Sequence, residues 1–197
     1  MIRHIDLSSV LRQSVCDLYS NLVTRPTGAA VRTEIEQLVV GTPGPSLTVI
    51  DFSHVGLLDY SCADEVVAKL LLRFSTDAAP CDAYFLFRGM QEWHLHAIEA
   101  ALGRYGLALV LESHDGSATL VGAIADDEHR AWEAVYQFGA ADVATIAASL
   151  GSDPSAAERL LQLLSERRLL MHLDERYLAL ATTRGTLGMV TPQDDRG

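Results

Sequence analysis

What this sequence has least of is sulfur, positive charge and long apolar runs. Its three cysteines, Cys16, Cys62 and Cys81, form no Cys-x-x-Cys pair, so neither a disulfide framework nor a zinc knuckle is indicated, and reduced thiols in a cytoplasm fit the pattern. Lysine and arginine number 15 against 26 acidic residues, a formal charge of −11, which argues against a chain whose main task is to coat phosphate backbones or anionic lipid. No stretch approaches the roughly eighteen unbroken apolar residues of a membrane span, and Met1 to Asp6 lack the basic-then-apolar order of a secretion signal. No membrane partner is expected. What remains is an ordinary globular mixture, 49% hydrophobic and 21% charged over 197 residues, enough for one large domain or two small ones.

The hydrophobic period changes near Ala125. The run Ala125-Asp126-Asp127-Glu128-His129-Arg130 separates an apolar stretch from a new helical pattern, and we read a first domain over 1–125, a second over 126–185 and a flexible polar tail over 186–197. Residues 1–125 hold 8 basic and 14 acidic side chains and residues 126–197 hold 7 and 12, so neither half is basic. In the first half the spacing predicts an edge strand over 1–7, then a helix capped by Ser8 or Ser9 and broken by Arg25-Pro26-Thr27-Gly28. A helix over 29–40, a buried strand over 47–52, a helix over 61–74 and a strand over 83–87 follow. A helix over 90–102 closed by Gly103 and short strands over 107–111 and 118–121 complete the half. Strands alternating with helices mean an α/β layer structure. The second half reads as helices over 131–138, 141–150 and 155–167 and a hairpin of strands over 169–173 and 177–181, with Asp174-Glu175-Arg176 at its tip. Gly151 suits a left-handed helix end, while Asp153 and Pro154 suit the start of the next helix.

The segment richest in chemistry runs Leu47-Thr48-Val49-Ile50-Asp51-Phe52-Ser53-His54-Val55-Gly56-Leu57-Leu58-Asp59-Tyr60-Ser61-Cys62-Ala63-Asp64-Glu65. An apolar strand closing on Asp51, a short loop, then Asp59 and Ser61 opening a helix concentrates polar groups at one end of a sheet, where open α/β folds commonly carry function. This pattern resembles the STAS family, the domain of bacterial anti-sigma factor antagonists and of the cytoplasmic ends of sulfate transporters, over residues 46–122. The resemblance matches Asp51 to the family's strand-end aspartate, Asp59 to its loop aspartate and Ser61 to the serine phosphorylated in the antagonists. Tyr60 stands where the family has a small polar residue and Cys62 where it has glycine. By itself the same geometry also describes a plain helix cap, with Ser61 capping the helix and Asp59 stabilising its start. A phosphate on Ser61 would add about −1.5 to −2 charges at a helix start, and Asp59, Asp64 and Glu65 would repel it.

The second half resembles winged-helix domains, in which the helix after the turn enters the major groove and the wing touches the backbone. That resemblance implies contact residues Ser155, Arg159 and Gln162 on the helix over 155–167, with Arg167, Arg168 and Arg176 at the backbone. Glu158 and Glu166 on the same helix oppose DNA, and Leu160, Leu161, Leu163 and Leu164 give it a core or homodimer face.

Other signals are weaker. His94 and His96 sit two apart on a helix and point about 200° apart, so they do not chelate together, and no metal is expected. There is no nucleophile elbow, P-loop or GxGxxG, and no cofactor is expected. The expected fold is therefore an α/β STAS-like sheet-and-helix domain followed by a small α+β winged-helix domain. The expected function is a non-enzymatic, cytoplasmic bacterial regulator whose first half binds a protein partner, by resemblance a kinase-like ATPase or an anti-sigma factor. Ser61 is the expected modification site, Asp51, Asp59, Tyr60, Cys62 and Asp64 shape the contact, and the second half meets DNA or another chain. The alternative is a DNA-binding transcription regulator whose first half senses a small ligand, or thiol oxidation at Cys62. An enzyme would need Asp51, His54, Asp59 and Cys62 to converge in one cleft.

Overall fold

A computed structural model describes residues 2–14, 21–41, 44–76 and 78–181, without the side chains of residues 11–14; the tail expected over 186–197 lies outside the described residues. Strands β1 (Ile2–Asp6), β2 (Ser46–Asp51), β3 (Ala83–Arg88) and β4 (Ala108–Glu112) lie parallel in chain order, and β5 (Ala118–Gly122) turns back antiparallel on β4. Every parallel crossover therefore steps the same way across the sheet, and right-handed connections put all the crossover helices on one face. These are α1 (Leu7–Ser14), α2 (Arg25–Val40), α3 (Tyr60–Ala63), a π turn (Asp64–Lys69) running on into α4 (Leu70–Phe74), and α5 (Glu92–Tyr105). Val31, Ile35, Val66, Phe74 and Ile98 from these helices join Ile5, Ile50, Phe85 and Leu109 of the strands in one apolar cluster.

The opposite face of the same strands, with Leu47, Val49, Tyr84, Leu86 and Val110, is equally apolar, as strands buried on both sides must be. It is covered by the second half: α6 (Asp126–Phe138), α7 (Val143–Leu150), α8 (Pro154–Glu166) and a small sheet of β6 (Ala140–Ala141), β7 (Leu170–Leu173) and β8 (Arg176–Ala179) in the order β6-β8-β7. Trp132, Val135, Ile146, Leu161, Leu164 and Leu170 share a second apolar cluster with those strand residues. The chain is thus an α/β fold built on a mixed five-stranded sheet. No helix among the described residues is long and apolar enough to cross a membrane.

Several boundaries differ from the sequence reading, each for a local reason. Asp6, not Ser8 or Ser9, opens α1, its carboxylate accepting from Ser8 N and from both serine hydroxyls at 3.0 Å. Pro26 occupies the first turn of α2, so the helix begins at Arg25, four residues before the expected Ala29. Gly103 lies inside α5, and the left-handed residue that ends the helix is Gly106, at φ 64°. The helix expected from Ala131 begins five residues earlier, at Asp126, because Glu128 in the acidic run folds back on Ala125 N at 3.1 Å. The hairpin tip is shorter than expected. Asp174 and Glu175 are both left-handed (φ 48° and 62°), which lets Arg176 pair with Leu173.

Candidate functional site

The sequence reading gathers Asp51, Asp59 and Ser61 at one end of the sheet. The structure separates them into a helix-layer cluster and a strand-end cleft, and no hydrogen bond or ion pair joins the two among the described residues.

The helix-layer cluster is built on Asp59. After β2 the chain turns at Ser53 and His54, where Val55 N donates to Phe52 O at 2.9 Å, and goes on to Leu58, which bridges to Leu22; Leu22 N donates to Leu57 O at 2.8 Å and Asp59 N donates to Leu22 O at 3.0 Å. Asp59 then caps α3. Its Oδ1 accepts Cys62 N at 2.7 Å and the Ser61 hydroxyl at 2.9 Å, and its Oδ2 accepts Thr24 N, just before α2, at 2.9 Å. Burial works to raise this carboxyl, but those donors outweigh it and hold Asp59 below the usual aspartate range. Ser61 is half-buried and Tyr60 is exposed. Cys62 is fully buried, donates from Sγ to Thr24 O at 2.9 Å, and lies so close to α2 that a Cβ on Gly28 would sit 3.0 Å from its Cα. Burial and the neighbouring Asp59 charge push its thiol up to about 12. A thiol in that state is a packing residue, not a reactive one.

The next turn holds two adjacent buried carboxylates, Asp64 and Glu65, within the π turn. Arg25 Nη1 reaches both, at 2.6 and 2.7 Å, Lys69 Nζ meets Glu65 at 2.5 Å, and Arg32 Nε meets Glu65 at 3.3 Å while its Nη1 holds Glu36 at 2.7 Å. Three cations thus balance three carboxylates and tie α2 to the π turn. Burial raises both buried acids, and the hydrogen bonds from Arg25 to Asp64 and from Lys69 and Arg25 to Glu65 hold them low in spite of it. Asp64, read from sequence as a contact residue, has 1% of its side chain exposed and supports the surface from beneath. Sequence reasoning missed Arg25, Arg32 and Lys69, although Glu65–Lys69 and Arg32–Glu36 both stand at the i,i+4 spacing of helical ion pairs.

Around the start of α3, Leu57, Tyr60 and Trp93 are exposed apolar side chains (57%, 40% and 61%). Trp93 is oriented by its Nε1 hydrogen bond to Gly56 O at 3.0 Å. The neighbouring His94 is fully buried; its Nδ1 accepts Gln91 N at 3.2 Å and its Nε2 faces Gly56 O at 3.3 Å, while burial pushes its pKa down, so it is a neutral structural imidazole. His96 is exposed. No group of metal-ligating residues forms among the described residues.

The strand-end cleft contains Asp51. Its Oδ2 pairs with Arg88 at 2.8 Å and its Oδ1 accepts Ser53 N at 2.9 Å. His54, beside it in sequence, is 72% exposed and faces Asp6 at 3.7 Å. Asp51, His54, Asp59 and Cys62 therefore do not converge.

In the second half, Ser155, Arg159 and Gln162 are exposed on α8. Arg167 and Arg168 are turned inward. Arg167 pairs with Glu128 at 2.5 Å and donates to Ala123 O, and Arg168, left-handed at φ 60°, pairs with Asp82, donates to Phe74 O at 3.2 Å and covers the Tyr84 ring at 5.0 Å. Arg176 donates to Ala140 O at 2.8 Å at the surface. Compared with protein-family models, curated proteins and solved structures, the chain matches none.

Proposed function

We propose that the chain is a non-enzymatic, cytoplasmic bacterial regulatory protein that docks a protein partner on the surface around Leu57, Tyr60, Ser61 and Trp93. The observation that carries this reading is that surface itself: three exposed apolar side chains set around a capped helix start, with buried ion pairs tying the next turn to α2. Aromatic anchors are what protein contacts use. The resemblance to anti-sigma factor antagonists names the partner class, a kinase-like ATPase or an anti-sigma factor, and makes Ser61 the switch. A phosphate there breaks the Ser61–Asp59 hydrogen bond and adds about −1.5 to −2 charges beside that carboxylate. In this reading the second half, with its winged-helix order of elements, contributes a further protein contact. The alternative, a DNA-binding regulator that senses a ligand or oxidant, loses its thiol arm to the burial of Cys62.

The test is a photo-crosslinking amino acid placed at Tyr60 in cells that express the chain, with Glu133 as the control site. The reading requires one discrete protein adduct from position 60, absent from position 133 and lost when Ser61→Asp is added. Equal adducts from both sites, or an adduct indifferent to Ser61→Asp, would sink the docking surface and the switch respectively.

A further inference from the structure

Register sets Asp51, Arg88 and Glu112 side by side at the carboxyl ends of β2, β3 and β4. Side chains alternate along a strand, and Val49, Leu86 and Val110 two residues earlier belong to the second apolar cluster, so this charged row continues that face where the cluster stops. A cleft of about 820 Å³ opens there, also lined by Met90, Gln91, Leu111, His114 and Asp115. That volume lies in the range of small-molecule sites, and the carboxyl ends of parallel strands are where ligands of open α/β sheets lie. One wall depends on a glycine. Gly89 has φ +70°, and a Cβ on it would lie 2.3 Å from Ser53 Oγ and 2.8 Å from Asp51 Oδ1.

The class of ligand follows from which polar groups are already committed. Asp51 spends one oxygen on Ser53 N and the other on Arg88 Nε and Nη2, so the pair faces the cleft neutral, with the guanidinium fixed and no partner at its Nη1 among the described residues. Gln91 makes no side-chain cap hydrogen bond, since the first N–H groups of α5 go to its backbone oxygen (His94 N at 2.9 Å), so its amide brings both donors and an acceptor. Asp115 Oδ1 takes Ser117 N and Oγ, leaving Oδ2 as an acceptor. Donors on Arg88 and Gln91 and acceptors on Gln91 and Asp115 thus share one cavity beside the apolar Met90 and Leu111. An anion meets Asp51 and Asp115 against the one already paired Arg88, and a cation meets Arg88 at the centre. A hydroxyl accepts and donates at the same oxygen and satisfies both sets together. We infer that this cleft binds a small, uncharged, hydroxyl-rich molecule of monosaccharide or cyclitol size. The inference goes beyond the docking surface and does not depend on it.

Two-dimensional amide NMR of the full chain tests it, with glucose, ribose and myo-inositol as neutral probes, citrate as the anionic one and spermidine as the cationic one. The expected result is a saturable shift confined to residues 51–53, 88–91 and 111–117 with at least one neutral probe. Arg88→Lys, which loses the planar fork, should weaken that binding about tenfold. His114→Ala, at an exposed position, should weaken it severalfold and keeps the test valid if Arg88→Lys does not fold. No saturable shift from any neutral probe, saturation by citrate or spermidine alone, or unchanged affinity in the folded variants overturns the assignment.

Discussion

Glu65→Gln tests whether the ion network holds the helix layer together. The Glu65 side chain is 4% exposed and receives Lys69 at 2.5 Å, Arg25 at 2.7 Å and Arg32 at 3.3 Å. The substitution keeps the shape, deletes the charge and leaves three cations against Asp64 and Glu36. Removing one partner of a sealed ion pair costs about 3–5 kcal/mol. Here Arg25, Arg32 and Lys69 are 45%, 25% and 36% exposed and rehydrate, so we expect about 2–3 kcal/mol. At about 2–4 °C per kcal/mol for a chain of this size, Tm should fall by about 5–10 °C in a calorimetric scan near neutral pH. The pH dependence supplies the sharper check. Burial raises the Glu65 carboxyl, but the Lys69 and Arg25 hydrogen bonds hold it below the ordinary glutamate value. A carboxylate held low stabilises fully above its ordinary range and loses that contribution as pH falls through its depressed value. The gap between wild type and variant in urea unfolding should therefore stay constant from about pH 7 to about pH 5 and close in stronger acid, as wild-type Glu65 becomes neutral too. A gap that survives in acid, or one below about 1 kcal/mol at neutral pH, refutes the network as a stabilising unit.

Three further outcomes follow. Gly89→Ala must force a Cβ into Ser53 and Asp51 at φ +70° and should cost about 2–4 kcal/mol, whereas Gly151→Ala, left-handed but with open space around it, should cost about 1 kcal/mol; urea midpoints that rank them the other way refute the tight turn. Leu86→Ala hollows the sheet face beneath the second half and should cost about 3 kcal/mol, with Trp132 fluorescence and far-ultraviolet circular dichroism shifting together; two separate transitions would show that the halves do not share a core. Cys62, with its thiol pushed up to about 12, should resist iodoacetamide at about pH 8 until the chain unfolds, which peptide mapping by mass spectrometry reads directly, and prompt labelling of the native protein would contradict its burial.

Much of the architecture was legible because apolar period is a strong signal: every strand expected over residues 47–121 is present within two residues. Pairing was less legible, since Ala140 and Ala141 carry no strand propensity and become β6 only because Tyr177 and Leu178 lie opposite. The site was legible at short range alone. The sequence reading puts the cap on Ser61; in the structure Asp59 caps α3 and Ser61 donates to it from within the first turn, and the reach of Asp59 to Thr24 depends on how α2 crosses α3. The pairing of Asp51 with Arg88, which are 37 residues apart, is set by strand register. Individual charges also mislead, because Arg167 and Arg168 look in sequence like free cations and in space are not.

The fate of those two arginines follows from the sheet. A sheet wound in one direction buries one face under its own crossovers and leaves the other apolar and open, so a second layer must be supplied. The second half supplies it, and Arg167 and Arg168 fasten its α8 end to Glu128, Asp82 and the Tyr84 ring. Of the basic residues suggested for nucleic acid, Arg159 and Arg176 remain outward, beside Glu158, Glu166 and Asp153 on α8 and its cap, while Phe138 and Leu163 are exposed at 54% and 39%. Two phosphate contacts give a slope of affinity against salt no steeper than about −2 on logarithmic axes, too shallow to sustain DNA binding against a net charge of −11. We therefore expect fluorescence anisotropy with duplex DNA to show no binding, or binding no steeper than that; a slope of about −3.6, the value for four contacts, would mean that the two arginines leave their partners and that this layer opens.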